Sequence, residues 1–424
     1  MSQSNDLIPP RPAPQSANGI LGRIQALAAQ GPSHLILSVI SYAAMAAMIW
    51  LILRWAISPT WTAGSLAECR EILQGQHGKA CWGVINERWS QLLIGFYPKA
   101  EFWRPALAFV LLGLAIFAML RVNARAMERK LAVIPFVLTP YLLWGGPIWS
   151  WVVLFGAACL LLVMNKLLRS TNAKADFAIR IAFIGAAVWL AMNISDALPP
   201  SLKDLGLEPV KSREFGGFLL SFLIGLSAIL FSLPMGVALA LGRTSKLPLL
   251  RVVSTGFIEF IRGVPLITLL FIASTLLNIF LPPGTNFDII VRVIIMVTLF
   301  ASAYIAEIVR GALAAVPKGQ TEGAASLGLN YWQTQRLIIL PQALKISIPG
   351  IVSTFIAVFK DTTLVSIIGL LDPLGLANNI RADSAWTGIV WEIYGFAALI
   401  FFIFCFAMSQ YSMWLERQLQ TGHR

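Results

Sequence analysis

Charged side chains are scarce in this sequence. Asp, Glu, Lys and Arg make up only 12% of the 424 residues, whereas a typical soluble domain carries about 25%. Hydrophobic residues account for 57%, and the mean hydropathy is +0.75. The apolar stretches approach the roughly 20 residues that a membrane-spanning helix needs, and they lack the alternation over about ten residues of a transmembrane β-strand. The composition therefore excludes a soluble fold and predicts an all-α, polytopic membrane protein.

Residues that commonly bind metals are also few. The chain has three histidines, His34, His77 and His423, and they lie far apart in the sequence. It contains neither the His-Glu-x-x-His pattern of zinc hydrolases nor the Gly-x-x-x-x-Gly-Lys-Ser/Thr pattern of phosphate-binding loops. Neither a metal site nor a built-in ATPase is supported, and we expect this chain to bind no cofactor.

Cysteine is limited to four residues. Cys159 and Cys405 lie in apolar runs, where cysteine behaves as a small hydrophobic side chain. Cys69 and Cys81 share one polar loop. A disulfide would persist there if the loop faced an oxidising compartment. The sequence leaves two possibilities open, a disulfide or two unpaired thiols.

The apolar runs predict about ten transmembrane helices. The polar residues 1–33 precede them and are predicted to form a disordered tail rather than a cleaved signal peptide. The predicted spans are His34–Ile57, Pro105–Leu120, two helices within Leu131–Met164 that turn near Gly145-Gly146-Pro147, Phe177–Leu198, Phe215–Leu241, Val264–Leu281, Ile289–Ile305, Ser347–Leu371 and Gly388–Trp414.

Basic residues in the loops orient these spans. Lys and Arg are enriched in cytoplasmic loops, and the net charge of +12 is explained by such loops rather than by binding to nucleic acid. With the basic segments 121–130 and 166–174 inside, both termini are predicted to be cytoplasmic. The loop that holds Cys69 and Cys81 is then predicted to lie outside.

The two halves of the chain differ in composition. Residues 34–200 form a predicted five-span extension with few intramembrane charges and no recognisable chemistry. Residues 211–417 carry glycines, prolines and paired charges within their spans. The second half is therefore where function is expected.

A polar segment interrupts the second half at residues 322–341, EGAASLGLNYWQTQRLIILP. Glu322–Leu327 predicts a short helix that ends at Gly328, because glycine tolerates the left-handed conformation. Asn330 can cap a second helix, which Pro341 is expected to end or bend. The expected apolar contacts of the second helix are Tyr331, Leu337, Ile338 and Leu340.

This segment resembles the cytoplasmic coupling loop of ABC importer permeases. In that loop Glu-Ala-Ala, three residues, Gly, nine residues and Ile-x-Leu-Pro follow in order, and Gly323 replaces the first alanine here. The segments IEFIRGVPLITLLF (258–271), SAYIAEIVRGAL (302–313) and FKDTTLVSIIG (359–369) further resemble the polar amino acid uptake group. The matching coupling-loop residues are Glu322, Ala324, Gly328, Ile338, Leu340 and Pro341.

The resemblance covers about residues 211–417 and implies a five-helix type I permease core. The added five-span extension is similar to the larger permease subunit of general L-amino-acid transporters in Gram-negative bacteria. Such a subunit lies in the bacterial inner membrane among its lipids and carries amino acids. Its implied partners are a separate ABC ATPase that uses the ATP, a second and homologous permease subunit, and a periplasmic amino-acid-binding protein.

Charged residues within the second half are the remaining candidates. Glu259 and Arg262, and likewise Glu307 and Arg310, have the i, i+3 spacing that lets side chains pair on one helix face. Either structural pairing or direct contact with substrate would explain charges near the ends of spans. Both readings stay open at the level of the sequence.

A second charged group is Lys360 and Asp361, about 13 residues into their predicted span. Adjacent residues on a helix do not face each other, so each needs another partner or water. The hydroxyls of Thr362 and Thr363 are available nearby. A network between helices and a substrate site are both consistent with this group.

An ion- or proton-coupled secondary transporter is the alternative function. Lys360 and Asp361 would then relay protons, and no ATPase would be needed. The match to the coupling loop favours the ABC permease instead. A membrane enzyme is not supported, because the sequence shows no nucleophile with a base and no metal-ligand set.

Overall fold

A computed structural model describes residues 32–74, 78–121, 126–167, 173–199, 205–276 and 288–420. The described chain is helical, and its two short strands, β1 (Gly146–Pro147) and β2 (Gly206–Leu207), pair antiparallel. The chain divides into two compact units, Met1–Asn86 and Glu87–Arg424. The all-α fold predicted from the composition is confirmed.

The first unit begins with helix α1, Pro32–Ala56. A short 3-10 turn, Thr60–Thr62, and helix α2, Leu66–Ile72, follow. Ser65 caps α2 by accepting a hydrogen bond from the backbone N–H of Glu68, which satisfies one of the free donors at the start of the helix.

Aromatic packing and a disulfide hold the polar part of the first unit. The ring of Trp82 stacks on Trp61 at 5.5 Å and meets Trp55 edge-on at 5.6 Å. Cys69 and Cys81 form a disulfide with Cα atoms 5.9 Å apart, within the usual range for such bonds. Of the two possibilities that the sequence left open, the structure contains the bridge.

The disulfide gives a direct prediction. Alkylation of the unreduced, denatured protein should label only two of the four cysteines, leaving Cys69 and Cys81 unmodified. Removing the bridge with a Cys69→Ser, Cys81→Ser variant should lower the free energy of unfolding by about 2–3 kcal/mol, because a closed loop of this length restricts the unfolded chain. Mass spectrometry that finds label on either residue before reduction would contradict the bridge.

The second unit contains the remaining helices. Those that precede residue 200 are α3 (Gly83–Ile94, which begins in the first unit), α4 (Trp103–Leu120), α5 (Ala126–Leu131), α6 (Val133–Trp144), α7 (Ile148–Leu167) and α8 (Ala173–Ala197). Helix α6 ends at Gly145, whose φ is +66°, and α7 starts at Ile148. A Cβ atom at Gly145 would also meet the carbonyl oxygen of Glu208. The break predicted near this glycine is confirmed, and the antiparallel hairpin stays a prediction.

The rest of the second unit is built around four long helices, α9, α12, α15 and α17. In chain order the elements are α9 (Gly217–Arg243), α10 (Pro248–Gly263), α11 (Leu266–Phe271) with a π-helical turn (Ile272–Leu276), α12 (Ile289–Ala315), α13 (Lys318–Ser326), α14 (Tyr331–Thr334) with a π-helical turn (Gln335–Ile339), α15 (Leu340–Asp361) with a 3-10 segment (Thr362–Ile368), α16 (Pro373–Ala382) and α17 (Trp391–Gln420).

Small residues let α9 and α12 approach closely. A Cβ atom added at Gly236 would lie 2.6 Å from the side chain of Ile305, so only glycine fits there without a shift. Ala301 and Ala306, which are close to Ile305 in the sequence of α12, are fully buried. Close backbone approach at small residues is a common way for helices to associate in membranes.

Hydrogen bonds and an ion pair link the segments around the start of α9. The N–H of Gly217 donates to the carbonyl oxygen of Leu371 at 2.7 Å. Arg88 of α3 forms an ion pair with Asp383 at 2.8 Å, and the indole of the buried Trp386 donates to Glu87. Helix α3 is thus fastened to the segment that follows α16.

Asp372 caps α16 at this same end. Its carboxylate accepts hydrogen bonds from the N–H groups of Leu374 and Gly375. Burial raises the pKa of this carboxyl to about 6, and backbone hydrogen bonds only partly oppose that effect. Asp372 therefore starts α16 with a carboxyl group that is largely shielded from water.

By length and composition, six described helices can cross a membrane, or seven if the bent pair α10–α11 counts as one span. Three further apolar segments are shorter: Ile134–Trp144, Ile148–Ala157 and Ala182–Ala191. The prediction of about ten spans therefore stays a prediction, as do the domain boundaries at 1–33, 34–200 and 211–417.

Two helices extend beyond the spans predicted over them. Helix α12 continues past Ile305 to Ala315. Over the ninth predicted span, Ser347–Leu371, the α-helix starts earlier, at Leu340, and ends at Asp361, where a 3-10 segment continues to Ile368. Pro341 lies in its first turn, directly after the π-helical turn Gln335–Ile339.

Candidate functional site

The segment that resembles a coupling loop begins with helix α13. The helix starts at Lys318, four residues before the predicted start, and ends at Ser326. Gly328 follows with φ +71°. Its N–H donates to the carbonyl of Ala325, and the N–H of Leu329 donates to that of Ala324. These two bonds form a Schellman motif, which satisfies carbonyls at the helix end, so the predicted helix stop at Gly328 is confirmed.

A capping box starts the next helix, α14. The Asn330 side chain accepts from the N–H of Gln333, and the Gln333 side chain accepts from the N–H of Asn330. The cap predicted at Asn330 is confirmed. The helix turn at Gly328 and the cap at Asn330 are two residues apart, so the path of the chain between α13 and α14 is set by local bonds.

Of the two effects expected of Pro341, ending the helix is contradicted by the structure. The second helix of the segment does not end there. It continues through the π-helical turn Gln335–Ile339 into α15, and residues Tyr331–Ile368 form one long helical stretch. Proline has no backbone N–H to donate to the preceding turn. A wider turn just before Pro341 is consistent with that missing hydrogen bond. The segment is therefore joined directly to a long apolar helix.

Residues 318–334, which we call the α13–α14 knob, expose most of their side chains. Glu322 is exposed, whereas Ala324 is only 1% exposed and anchors the helix. Tyr331 and Leu337 were expected to supply apolar contacts of the second helix, and both are more than half exposed. Thr334 and Ile339 are buried in their place, because the continuous helix turns a different face inward.

Exposed apolar side chains cluster on the knob. Leu327 is 77% exposed and Trp332 is 70% exposed, and the ring of Tyr331 packs edge-on against Trp332 at 5.3 Å. Large apolar groups on an otherwise polar segment commonly mark a surface that another protein covers. The amide of Gln342 on α15 donates to Gln320 at 3.1 Å, which ties the knob to the long helix.

Five charged residues from α9, α10 and α12 meet in what we call the charged cluster: Arg243, Glu259, Arg262, Glu307 and Arg310. Glu307 accepts from Arg310 at 2.6 Å and from Arg243 at 3.0 Å. Arg243 also contacts Glu259 at 2.8 Å. The Arg243 guanidinium therefore joins one carboxylate from α10 and one from α12.

The predicted pairing on α12 is confirmed and the predicted pairing on α10 was wrong. Glu307 and Arg310 pair at i, i+3 as expected. Glu259 pairs with Arg243 instead of Arg262, and Arg262 approaches Glu307 at 3.9 Å while lying over the ring of Tyr304. The end of α9 brings a guanidinium next to Glu259, and that tertiary contact replaces the local one.

Sequence reasoning missed Arg243 as a member of the cluster. The available signal was its position at the last residue of a long apolar helix, where a cation at a helix C-terminus is common. Nothing in its sequence spacing points to Glu259 or Glu307, which lie on other helices.

Lys360 and Asp361 lie apart from the charged cluster in sequence and in their contacts. They occupy the last two positions of α15, directly before the 3-10 segment Thr362–Ile368. Lys360 is exposed and Asp361 half-buried, and the ion pairs of the described residues do not include them. Thr362 and Thr363 do not offer free hydroxyl donors: they donate to the carbonyls of Phe359 and Lys360.

Comparison with known proteins places this geometry in a family. Residues 232–420 match the family model described as the inner membrane component of binding-protein-dependent transport systems. The glutamate/glutamine/aspartate/asparagine transport system permease protein BztC of Rhodobacter capsulatus is 50% identical, over 99% of this chain and 98% of that protein. The inner membrane amino-acid ABC transporter permease protein YhdY of Escherichia coli is 38% identical, over 98% and 97%.

A chain from the crystal structure of an amino acid ABC transporter with histidines is also similar. It is 30% identical and aligns over 47% of this chain and 91% of that chain, with a TM-score of 0.42. The family assignment itself rests on the relatives that match over almost their whole length. On that basis, the chain belongs to the ABC transporter permeases, the inner membrane components of binding-protein-dependent transport systems.

Proposed function

We propose that this permease moves L-amino acids across the bacterial inner membrane, driven by ATP that a separate protein hydrolyses. The chain is a transport subunit and not an enzyme, as its family membership requires. The observation that carries the proposal is the exposed α13–α14 knob joined directly to a long apolar helix. A knob of this kind can pass movement of a partner to the membrane helices.

The partner of the knob is an ABC ATPase in this proposal. Leu327 and Trp332 supply an exposed apolar contact, and Glu322 adds a charge beside it. Ala324, Ile338, Leu340 and Pro341 act behind this surface by fixing the position of α13 and of the helix that follows. ATP binding favours one conformation of the partner, and the pair of proteins shifts between two states. This chain itself binds no cofactor.

The remaining partners follow from the transport system. A periplasmic amino-acid-binding protein delivers the substrate, and a second permease subunit, a homologue of this one, completes the pathway. Both termini and the knob face the cytoplasm, since basic residues concentrate at that end. The disulfide between Cys69 and Cys81 then lies in the periplasm, where such bonds persist.

Amino acids are proposed as the cargo because of the two relatives that align with almost the whole chain. Their names specify amino-acid transport, and one names glutamate, glutamine, aspartate and asparagine. Reconstitution tests the proposal: the transporter should be purified with its ATPase and binding protein, and ATP-dependent uptake measured over a panel of amino acids. Uptake by this chain alone under an ion gradient would instead establish the secondary transporter, and the absence of a co-purifying ATPase would contradict the role of the knob.

Lys360 and Asp361 are proposed to line the substrate pathway. Their position at the junction of α15 and a 3-10 segment leaves Lys360 exposed and without an ion pair among the described residues, so its cation is available to a carboxylate. A Lys360→Ala variant should reduce amino-acid uptake at least tenfold while leaving the amount of assembled transporter unchanged. Lys345→Ala, which removes another partly exposed cation of α15, is the control. Equal uptake in both variants would remove Lys360 from the pathway.

A further inference from the structure

Residues 87–97 and 143–144 of the N-terminal extension contact the chain around the start of α9. We call these residues the contact segments. They belong to the same compact unit as helices α9 to α17, Glu87–Arg424. The extension is therefore joined to these helices by packing as well as by the chain itself.

Main-chain pairing joins three parts of the chain just before α9. Gly95 of the extension forms an antiparallel bridge with Phe215, and Gly216 forms a parallel bridge with Leu371. Phe215 and Gly216 are neighbours in the chain. The stretch that leads into α9 thus lies between the extension on one side and the segment before α16 on the other.

Glycine allows the main chains to approach closely at this crossing. A Cβ atom at Gly217, the first residue of α9, would lie 2.1 Å from the carbonyl oxygen of Leu92, and the φ of Gly217 is +58°. A Cβ atom at Gly216 would lie 2.9 Å from the Cα atom of Gly95. A larger residue at either position would push the extension away from α9, and glycine is the residue that permits such close backbone approach.

A chain of side-chain hydrogen bonds extends the contact to α12. The indole of Trp144 donates to the hydroxyl of Ser212 at 2.7 Å, and Ser212 donates to the carboxylate of Asp288. Asp288 in turn accepts from the N–H groups of Ile290 and Val291 and caps α12. Trp144 of the extension therefore helps to fix the residue at which α12 starts.

The contact is buried and apolar around these hydrogen bonds. Phe215 is 1% exposed, and the rings of Trp144 and Tyr97 lie 4.9 Å and 5.6 Å from its ring. One apolar core contains Tyr97 and Leu143 of the extension together with Leu220 of α9. Parts of one chain move relative to each other unless their interface is large and hydrophobic. A core shared by both parts therefore favours a fixed arrangement.

We propose that the N-terminal extension functions as a fixed clamp on the transport helices. Through the contact segments it keeps the starts of α9 and α12 together throughout the transport cycle. Arg88 and Glu87 extend the clamp to the region after α16, where they contact Asp383 and Trp386. Helix α12 is then held at its first residue, while its last residue lies just before the α13–α14 knob. Movement of the knob therefore acts on a helix whose other end is fixed.

A reversible cross-link tests whether the contact persists during transport, and this test rests on the transport function proposed above. The N–H of Phe96 donates to the carbonyl oxygen of Glu214 at 3.0 Å, so a Phe96→Cys, Glu214→Cys variant can be joined by a short bis-methanethiosulfonate linker. With Cys159 and Cys405 replaced by serine, the cross-linked transporter should retain at least half of the uptake of the same variant before cross-linking. The serine-substituted parent receives the same reagents as the control. A tenfold loss on cross-linking that a reductant reverses would show that the extension separates, and would overturn the clamp.

Loosening the contact is the complementary test. An Arg88→Gln, Trp144→Phe variant removes one ion pair and one hydrogen bond of the contact segments and keeps an aromatic ring at position 144. It should lower uptake at least threefold, and the same cross-link should restore most of that loss. Trp89→Phe, Arg213→Gln changes the same residue types at exposed positions close by in the sequence and should leave uptake unchanged. Unchanged uptake in the first variant, or an equal loss in both, would reject the clamp.

Amide hydrogen exchange separates the clamp from the proposed cargo, because it needs neither an ATPase nor a substrate. In the purified full chain in lipid nanodiscs, the N–H groups of Phe96 and Gly217, which donate to carbonyl oxygens of neighbouring segments, should exchange slowly. Their exchange should become at least tenfold faster in the Arg88→Gln, Trp144→Phe variant and stay slow in its control. Fast exchange in the unaltered protein would overturn the clamp. Slow exchange together with no uptake of any amino acid would keep the clamp and contradict the proposed cargo.

Discussion

Replacing Gly328 with valine should reduce amino-acid uptake at least tenfold while leaving the protein in the membrane. Gly328 has φ +71°, a conformation that costs a β-branched residue about 1–3 kcal/mol. Its Cβ would meet nothing within 4 Å, so the effect arises from the backbone and not from a clash. Loss of the Schellman motif would change the angle at which α13 meets α14, and hence the surface offered to the ATPase.

A series of variants separates the backbone effect from a general effect of the side chain. Asparagine tolerates the left-handed region better than other non-glycine residues, so Gly328→Asn should retain more uptake than Gly328→Val. Gly323→Ala changes another exposed glycine of the knob, also with free space around it, and should preserve uptake because alanine favours the helix by about 1 kcal/mol. Uptake and co-purification of the ATPase are the measurements. Unchanged uptake in Gly328→Val would remove the knob from the coupling mechanism.

Features of the knob that depend on neighbours in the sequence were predictable. Gly328 as a helix stop and Asn330 as a cap follow from residue type and spacing, because both motifs are closed by hydrogen bonds within a few residues. The start of α13 was not predictable, since residues 318–321, KGQT, have no apolar periodicity. The continuity of α14 with α15 was left open, because a proline either ends a helix or stays within one whose turn is distorted.

The charged cluster contains ion pairs that residue spacing within one helix does not predict. The i, i+3 pair of Glu307 and Arg310 follows from helix geometry alone. The partner of Glu259 depends on which helix end lies beside α10, and that is decided by packing between α9 and α10. Tertiary contacts of this kind leave no signal in the spacing of a single sequence. Arg243 was therefore recognised only in the structure.

Helix α10 illustrates a signal that was present and was not used. Leu249, Val252, Val253 and Phe260 recur with helical spacing, yet the stretch is too short and too charged for a span. A search for spanning segments passes over such a helix, although its periodicity is as regular as that of the long helices. The 102° bend between α10 and the helix after it falls at Val264 and Pro265, where a span was predicted to start.

Replacing Glu307 with glutamine should destabilise the protein more than any other single change in the charged cluster. Glu307 accepts hydrogen bonds from Arg243 and Arg310 and lies 3.9 Å from Arg262. Without its charge, three guanidinium groups are left with Glu259 as the only carboxylate in the cluster. Hydrogen bonds to charged groups contribute about 1.5–3 kcal/mol each. Partial exposure of the cluster, 24% for Glu307, reduces the expected loss to about 2 kcal/mol.

Glu259→Gln is the matched control for this prediction. Glu259 is 55% exposed and contacts only Arg243 within the cluster, so its loss should cost at most about 1 kcal/mol. The thermal midpoint of the purified full chain measures both changes, and uptake measures their effect on transport. In a double-mutant cycle, Arg243→Gln combined with Glu307→Gln should cost less than the sum of the single changes, because the two residues share one interaction. Simple additivity would mean that α9 and α12 are not coupled through these charges, and that their apolar packing holds them together.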